Sequence, residues 1–202
     1  MIHPPLRSLT RPVLVFGLLA VLGLAPMAQA DDAVPAEQLV LAEQRLQLNG
    51  SGTRRKAVFQ IYTAALYLGQ PARSLQQVVE QDGPKRLLVQ MLRDIDANEL
   101  GKLFTQGIER NTQREQFARL VPGILHISEL FARQKRLKKG DSFSLDWVPA
   151  TGLSIRINDQ LPAPPINDPE FFAALLSIWL GPQPADEHLK AALLGAGNHA
   201  VQ

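Results

Sequence analysis

The sequence contains no cysteine, so neither a disulfide nor a thiolate metal site can contribute to its structure or chemistry. Tyrosine and tryptophan are scarce, with two of each among 202 residues. There is no HExxH pattern, aspartate-rich calcium loop or phosphate-binding glycine loop, and the four histidines are scattered along the chain. We therefore expect no metal site and no cofactor. Packing of apolar side chains has to stabilise the fold.

The first thirty residues have the pattern of a secretory signal peptide. Two arginines precede an apolar run at 13–24, and small residues at 28–30 (AQA) provide a cleavage site. The run is shorter than the roughly 20 apolar residues of a membrane span. The pattern predicts cleavage after Ala30, a periplasmic location and one mature domain at 31–202.

The predicted mature chain carries no net charge. Arg7 and Arg11 are two of the 21 basic residues, and the signal segment holds none of the 19 acidic ones. Because nucleic-acid affinity comes largely from neutralised phosphates, this balance argues against a nucleic-acid partner. The basic run at 133–139 (RQKRLKK) favours a solvated helix end, and weak contact with an anionic membrane is the alternative. The sequence sets no oligomeric state.

Hydrophobic periodicity predicts an α+β chain ordered as strands, helices, strands and helices. Residues 38–68 are predicted to form a hairpin whose turn is Asn49–Gly52 (NGSG), with glycines suited to positive φ. Without regular βαβ alternation, this order predicts an antiparallel sheet covered by helices on one face. The other predicted elements are helices at 74–81, 96–111, 112–120, 124–136, 170–180 and 186–194, with Pro122-Gly123 as an interruption, and strands at 86–92, 142–148 and 153–157.

Two side chains near the predicted turn are candidate ligand groups. Arg54 closely follows Gly52, where the backbone can approach a ligand, and its guanidinium presents a planar fork of donors to a carboxylate or enolate oxygen. Tyr62 and Tyr67 belong to opposite faces of the next strand, so one of them should face the helices. A solvated cation and a core aromatic are the alternatives for these residues. Trp179 lies on an apolar helix face and is predicted to be core.

These segments together resemble the chalcone isomerase-like family, and in particular its secreted bacterial branch. The resemblance rests first on G-x-G-x-R-x-K followed by a V/I-Y-x-x-x-L-Y-L strand at 50–68. The segments PKRLLVQMLRDI, LKKGDSFSLDWVPATGLSIRIND and FFAALLSIWLGPQPADEHLKAALLG extend it over about residues 37–194. It implies an open-faced β-sandwich, in which a helical layer covers an antiparallel sheet and a ligand cleft lies between the two layers.

The resemblance also implies roles for single residues. In the plant isomerases an arginine in this motif guides the substrate and stabilises an enolate, and Arg54 matches it. A threonine on the next strand matters there as well; Tyr62 falls at its place, with Thr63 beside it. In the plastid fatty-acid-binding relatives, a tyrosine at this place and the arginine hold the fatty-acid carboxylate, a pattern that Arg54 and Tyr62 resemble more. Arg93 is a further candidate for the cleft, with a surface arginine as its alternative.

Three functions remain open on the sequence. The first is binding of a fatty acid or another small amphipathic carboxylate or carbonyl ligand, with apolar helix residues at 100–108 and 171–180 around the tail. The second is an isomerase of the intramolecular lyase type, with Arg54 as the catalytic group that stabilises an enolate. The third is a non-catalytic partner protein of the cell envelope. The isomerases' other active-site groups have no clear counterpart, so the sequence favours binding over catalysis.

Overall fold

A six-stranded antiparallel sheet and the helices packed on it make up the computed structural model, which describes residues 35–196. The strands are β1 (Gln38–Leu41), β2 (Gln44–Lys56), β3 (Phe59–Leu68), β4 (Lys85–Met91), β5 (Ile95–Asp96), β6 (Arg136–Leu137), β7 (Ser142–Val148) and β8 (Gly152–Ile157). The helices are α1 (Leu75–Glu80), α2 (Ala97–Asn111), α3 (Arg114–Ala132), α4 (Pro169–Leu180) and α5 (Glu187–Leu193). The predicted signal peptide lies outside the described residues.

The order of strands in the main sheet is β1-β2-β3-β4-β7-β8, and β5 pairs separately with β6. Every neighbouring pair in the main sheet is antiparallel. The predicted α+β class, with an antiparallel sheet and a helical layer, is confirmed. Among the described helices, none combines the length and the apolar character needed to cross a membrane.

The predicted turn at Asn49–Gly52 is wrong, because this segment lies inside β2. Gly50 pairs with Leu66 on β3, and neither glycine of the segment has a positive φ. The chain reverses instead at 42–43 and at 57–58, where Ala57 has a φ of 52°. Residues 38–68 therefore form two successive hairpins and not one, and the tip of the second lies just beyond Lys56.

The two glycines of β2 are there because α5 packs directly on this strand. A Cβ at Gly50 would collide with the backbone carbonyl oxygens of Ala192 and Leu193. A Cβ at Gly52 would lie 2.9 Å from the Cβ of Ala192. The Asn49 side chain also joins β2 to α5, because its amide nitrogen donates a hydrogen bond of 2.7 Å to the Leu193 carbonyl oxygen.

Helix α3 runs through the predicted interruption, so the two helices predicted at 112–120 and 124–136 are one. Pro122 lies inside this helix, where it removes one backbone hydrogen bond. The burial of Leu120 and Ile124 on either side offsets this cost. The absent side chain of Gly123 makes room for Phe171, whose ring would lie 2.7 Å from a Cβ there. Tertiary packing therefore overrides the helix-breaking pair.

The core lies between the helix-facing side of the sheet and helices α2, α3 and α4. Phe104 of α2 packs edge-to-face on three other aromatic rings, at centroid distances of 5.2 Å to Phe131, 5.8 Å to Phe143 and 5.9 Å to Trp179. Asp96 caps α2 by accepting hydrogen bonds from the backbone N–H groups of Asn98 and Glu99. These contacts fix α2 above the strands at the place where the candidate ligand residues lie.

Candidate functional site

Arg54 and Tyr62 lie directly opposite each other on neighbouring strands. The register of β2 and β3 pairs the two residues, which places their side chains on the same face of the sheet. The guanidinium carbon Cζ of Arg54 lies 5.7 Å from the centre of the Tyr62 ring. This distance is within the range of a cation–π contact. The structure thus brings together the two residues that the sequence singled out.

The two tyrosines of β3 face opposite sides of the sheet, as strand parity predicted. Tyr62 belongs to the main core beneath the helices and is 5 % exposed. Tyr67 belongs to a smaller apolar cluster with Leu46 and Ala65 on the outer side. Only Tyr62 can therefore contribute to a site between the sheet and the helices.

A cavity of about 90 Å³ is lined by Arg54 and Tyr62 of the sheet and by residues of helices α2 and α4. Its lining combines apolar and polar side chains, and both helical segments that were expected to surround a ligand tail contribute to it. The apolar wall residues include Ile61, Ile95, Leu103, Phe104, Ile178 and Trp179. The Arg54–Tyr62 pair therefore lies beside apolar walls within the cavity.

Three exposed polar residues also border the cavity, and the sequence did not point to them. They are Gln106, Arg110 and Gln183. Arg110 lies seven residues after Leu103 along α2, a spacing that returns to the same face of a helix. This spacing is the signal that could have identified Arg110. It places a second cation at the rim.

Trp179 supplies the hydrogen bond that orients Tyr62. Its indole nitrogen Nε1 donates to the Tyr62 hydroxyl oxygen at 2.9 Å. The prediction of a core tryptophan is confirmed by its 2 % exposure, but its polar role was missed. An apolar helical pattern carries no information about which strand residue meets the indole N–H.

Burial raises the pKa of the Tyr62 phenol above its ordinary value, and the nearby positive charge of Arg54 only partly opposes this shift. The phenol is therefore protonated at neutral pH. Since its oxygen accepts from Trp179, its own O–H remains free to donate. A guanidinium and an indole N–H can also only donate. Arg54 and Tyr62 consequently present hydrogen-bond donors to a ligand in the cavity.

No carboxylate of residues 35–196 forms a salt bridge with Arg54. Asp186 lies nearby, and its carboxylate accepts hydrogen bonds from the backbone N–H groups of Arg55 and Leu189, at 3.2 and 3.0 Å. These bonds commit Asp186 to capping α5. The half-buried guanidinium of Arg54 therefore keeps a positive charge beside the cavity.

Thr63 and Arg93, which were also expected to contact a ligand, do not line the cavity. Thr63 alternates with Tyr62 along β3 and so faces the outer side of the sheet. Arg93 is exposed after β4, with its Cζ 4.8 Å from the centre of the Phe59 ring. The geometry limits the polar contacts of the cavity to Arg54, Tyr62 and the rim residues.

The cavity lining includes no carboxylate and no imidazole. Across the described part of the chain, no group of three or more histidine, aspartate or glutamate side chains is arranged to hold a metal ion. Among the lining residues, the charged side chains are therefore the two cations Arg54 and Arg110.

Comparison with known proteins gives the family and the fold of the chain. Residues 28–195 match a family model described as chalcone isomerase-like. The crystal structure of a fatty-acid binding protein from Arabidopsis thaliana superposes with a TM-score of 0.62, covering 79 % of this chain and 97 % of that one. The two sequences are 14 % identical, so this likeness establishes the fold alone. No curated protein sequence matches the chain.

Proposed function

The chain belongs to the chalcone isomerase-like family, as its motifs predicted, and we propose that it binds a fatty acid by the carboxylate. One observation carries the proposal: Arg54 and Tyr62 present hydrogen-bond donors side by side in a cavity that also has apolar walls. An ionised carboxylate offers only acceptors, so it matches both groups. The structural neighbour described as a fatty-acid binding protein supports the same class of ligand.

The size of the cavity limits how much of a fatty acid it can enclose. Ligand pockets usually have volumes of about 300–1,000 Å³, whereas this cavity measures about 90 Å³. The observed space suits a head group and the first methylene groups. A Cβ at Gly107 of α2 would lie 2.9 Å from Cγ1 of Ile178, so the two helices are closely packed here. A long acyl chain therefore requires α2 and α4 to separate.

Catalysis has weaker support than binding. Arg54 and Tyr62 are suitable donors for the oxygen of an enolate, which is what an isomerase of this family type would stabilise. The lining, however, includes no carboxylate or imidazole that would take up a proton, and burial keeps the pKa of Tyr62 raised. Binding without turnover fits this lining better. The signal-peptide pattern of residues 1–30 supports a periplasmic location for this function.

The experiment is mass spectrometry of lipids extracted from the purified folded protein, with displacement of a fluorescent fatty acid as a second measurement. Wild type should carry fatty acid and bind the probe, and Arg54→Ala should lose both. Arg45→Ala is the matched control, because Arg45 is an exposed arginine of the same strand. Absence of both fatty acid and probe binding in wild type would reject the proposal. Turnover of an aryl enone that Arg54→Ala abolishes would favour the isomerase instead.

A further inference from the structure

The tip of the β2–β3 hairpin exposes two large apolar side chains. Val58 is 88 % exposed and Phe59 is 54 % exposed, although residues of these types are usually buried. Arg55 and Lys56 immediately precede the tip and are exposed as well. An apolar projection flanked by cations is the composition of a surface that meets both lipid chains and anionic head groups.

The end of β4 adds another cation to this tip. The backbone N–H of Leu92 donates to the Ile61 carbonyl oxygen at 3.0 Å, which places the following residues beside the start of β3. Arg93 comes next, and its guanidinium lies over the Phe59 ring at 4.8 Å. The ring and the cation thus form one exposed unit.

The basic run that follows α3 is brought to the same end of the sheet. The Lys139 backbone N–H donates to the Asp94 carboxylate at 2.9 Å, and the Gly140 N–H donates to the Met91 carbonyl oxygen at 2.8 Å. Helix α3 ends at Ala132 with Arg133 as its C-cap, so only the start of this run lies at the helix end that the sequence favoured. The rest is a short strand and a loop held against the end of β4.

We define the basic edge as the three segments 55–59, 92–94 and 135–141. Together they contain seven lysines and arginines but only two acidic residues, Asp94 and Asp141. Asp94 is already engaged by Arg136 at 3.5 Å, and Asp141 accepts a hydrogen bond of 2.7 Å from the Lys138 N–H. The basic edge therefore has a clear positive excess, although the predicted mature chain is neutral overall.

We propose that the basic edge docks on an anionic phospholipid surface, with Val58 and Phe59 entering the head-group region. Charge complementarity selects this occupant, since anionic lipid attracts clustered lysines and arginines. A second copy of the chain would bring two positive edges together, which is unfavourable. Arg54, Ile61 and Tyr62 adjoin the tip and line the cavity, so docking would place the cavity close to lipid. This inference goes beyond ligand binding and does not require it.

The test is co-sedimentation of the purified protein with vesicles. Vesicles of mixed phosphatidylglycerol and phosphatidylcholine should bind it, with weaker binding at high salt, and vesicles of phosphatidylcholine alone should not. Lys138→Glu/Lys139→Glu should weaken partitioning by about 30-fold or more, from about 1 kcal/mol for each lost cation at 1.4 kcal/mol per tenfold. Val58→Ser/Phe59→Ser should weaken it by roughly tenfold or more.

The matched control is Val40→Ser/Arg45→Glu, which changes an exposed valine and an exposed arginine that pair with each other on β1 and β2. It should bind vesicles as wild type does. In a second measurement, Val58→Trp should show a blue-shifted emission on phosphatidylglycerol vesicles. Absence of wild-type binding, equal binding to both kinds of vesicle, or unchanged binding by the tip variant would overturn the proposal. A dimer in solution that Val58→Ser/Phe59→Ser dissociates, without vesicle binding, would overturn it as well.

Discussion

The indole nitrogen Nε1 of Trp179 donates a hydrogen bond of 2.9 Å to the hydroxyl oxygen of Tyr62 and thereby ties helix α4 to strand β3. The two residues are 117 positions apart in the sequence. Because the indole N–H can only donate, the Tyr62 oxygen accepts, and the phenol proton is directed elsewhere. This single bond turns a core tyrosine into a donor beside Arg54 and the cavity.

Replacing Tyr62 by phenylalanine should destabilise the protein. The change leaves the buried Trp179 N–H without its acceptor, which costs about 1–3 kcal/mol of unfolding free energy. Urea denaturation measures this loss. Tyr67→Phe is the matched control, because Tyr67 lies on the opposite face of the same strand.

A double-mutant cycle isolates the hydrogen bond from the packing of the two rings. In Trp179→Phe the donor is absent, so adding Tyr62→Phe should then cost less than it does in wild type. Equal costs of Tyr62→Phe in the two backgrounds would show that the bond contributes nothing to stability.

Alkaline pH should destabilise the protein through Tyr62. Burial raises the pKa of this phenol in the folded state, so the folded protein holds the proton more tightly than the unfolded chain does. The resulting stabilisation is complete below the unfolded value of about 10 and is lost as pH rises through the folded pKa. Tyrosinate absorbance across this pH range measures the ionisation of the phenol, and urea denaturation measures the free energy of unfolding.

Tyr67 also has a raised pKa through burial, with Arg86 opposing the shift, so the two phenols have to be separated. The chain contains only these two tyrosines, which makes the separation simple. Tyr62→Phe should remove the absorbance step of Tyr62 and part of the alkaline loss of stability. If Tyr62→Phe and wild type lost stability equally above pH of about 10, the burial of Tyr62 would not be the cause.

Replacing Gly50 by alanine should disturb the docking of α5. The added Cβ would meet the carbonyl oxygens of Ala192 and Leu193, which belong to the backbone and cannot rotate away. Overpacking of this kind costs about 1–3 kcal/mol. Urea denaturation, with limited proteolysis of the C-terminal helix, measures the effect.

Gly69→Ala is the control for this change, because nothing lies within 4 Å of a Cβ at Gly69. It should match wild type in both measurements. A Gly50→Ala protein that is as stable and as protease-resistant as Gly69→Ala would show that α5 does not need the glycine.

The order of strands and helices was predictable because each element carries its own periodicity. The turn was not. Asn49–Gly52 has the composition of a turn, and only its contact with Leu193, far along the chain, gives the glycines another purpose. Pro122 is a second case in which the local sequence misled the prediction. Helix α3 continues through Pro122 because its flanking residues pack against other elements, such as Phe171 of α4. Local sequence describes a segment's own preferences and not the partners that override them.

The candidate site was predictable in part for a similar reason. Arg54 and Tyr62 followed from a family motif and from strand parity, both of which are local. Trp179 and Arg110 were missed because their part in the site depends on how α4 and α2 lie above the sheet. Thr63 neighbours Tyr62 on β3 and therefore faces the other side of the sheet, and Arg93 is exposed with its guanidinium over the Phe59 ring.

The proposed binding of a carboxylate by Arg54 is tested most directly by comparing a fatty acid with the fatty alcohol of the same chain length in calorimetric titrations. Wild type should prefer the acid by roughly tenfold or more, since hydrogen bonds to charged groups contribute about 1.5–3 kcal/mol. Arg54→Gln should lose this preference, and Arg45→Gln should keep it. Equal affinity of wild type for the acid and the alcohol, or an unchanged preference in Arg54→Gln, would contradict the account.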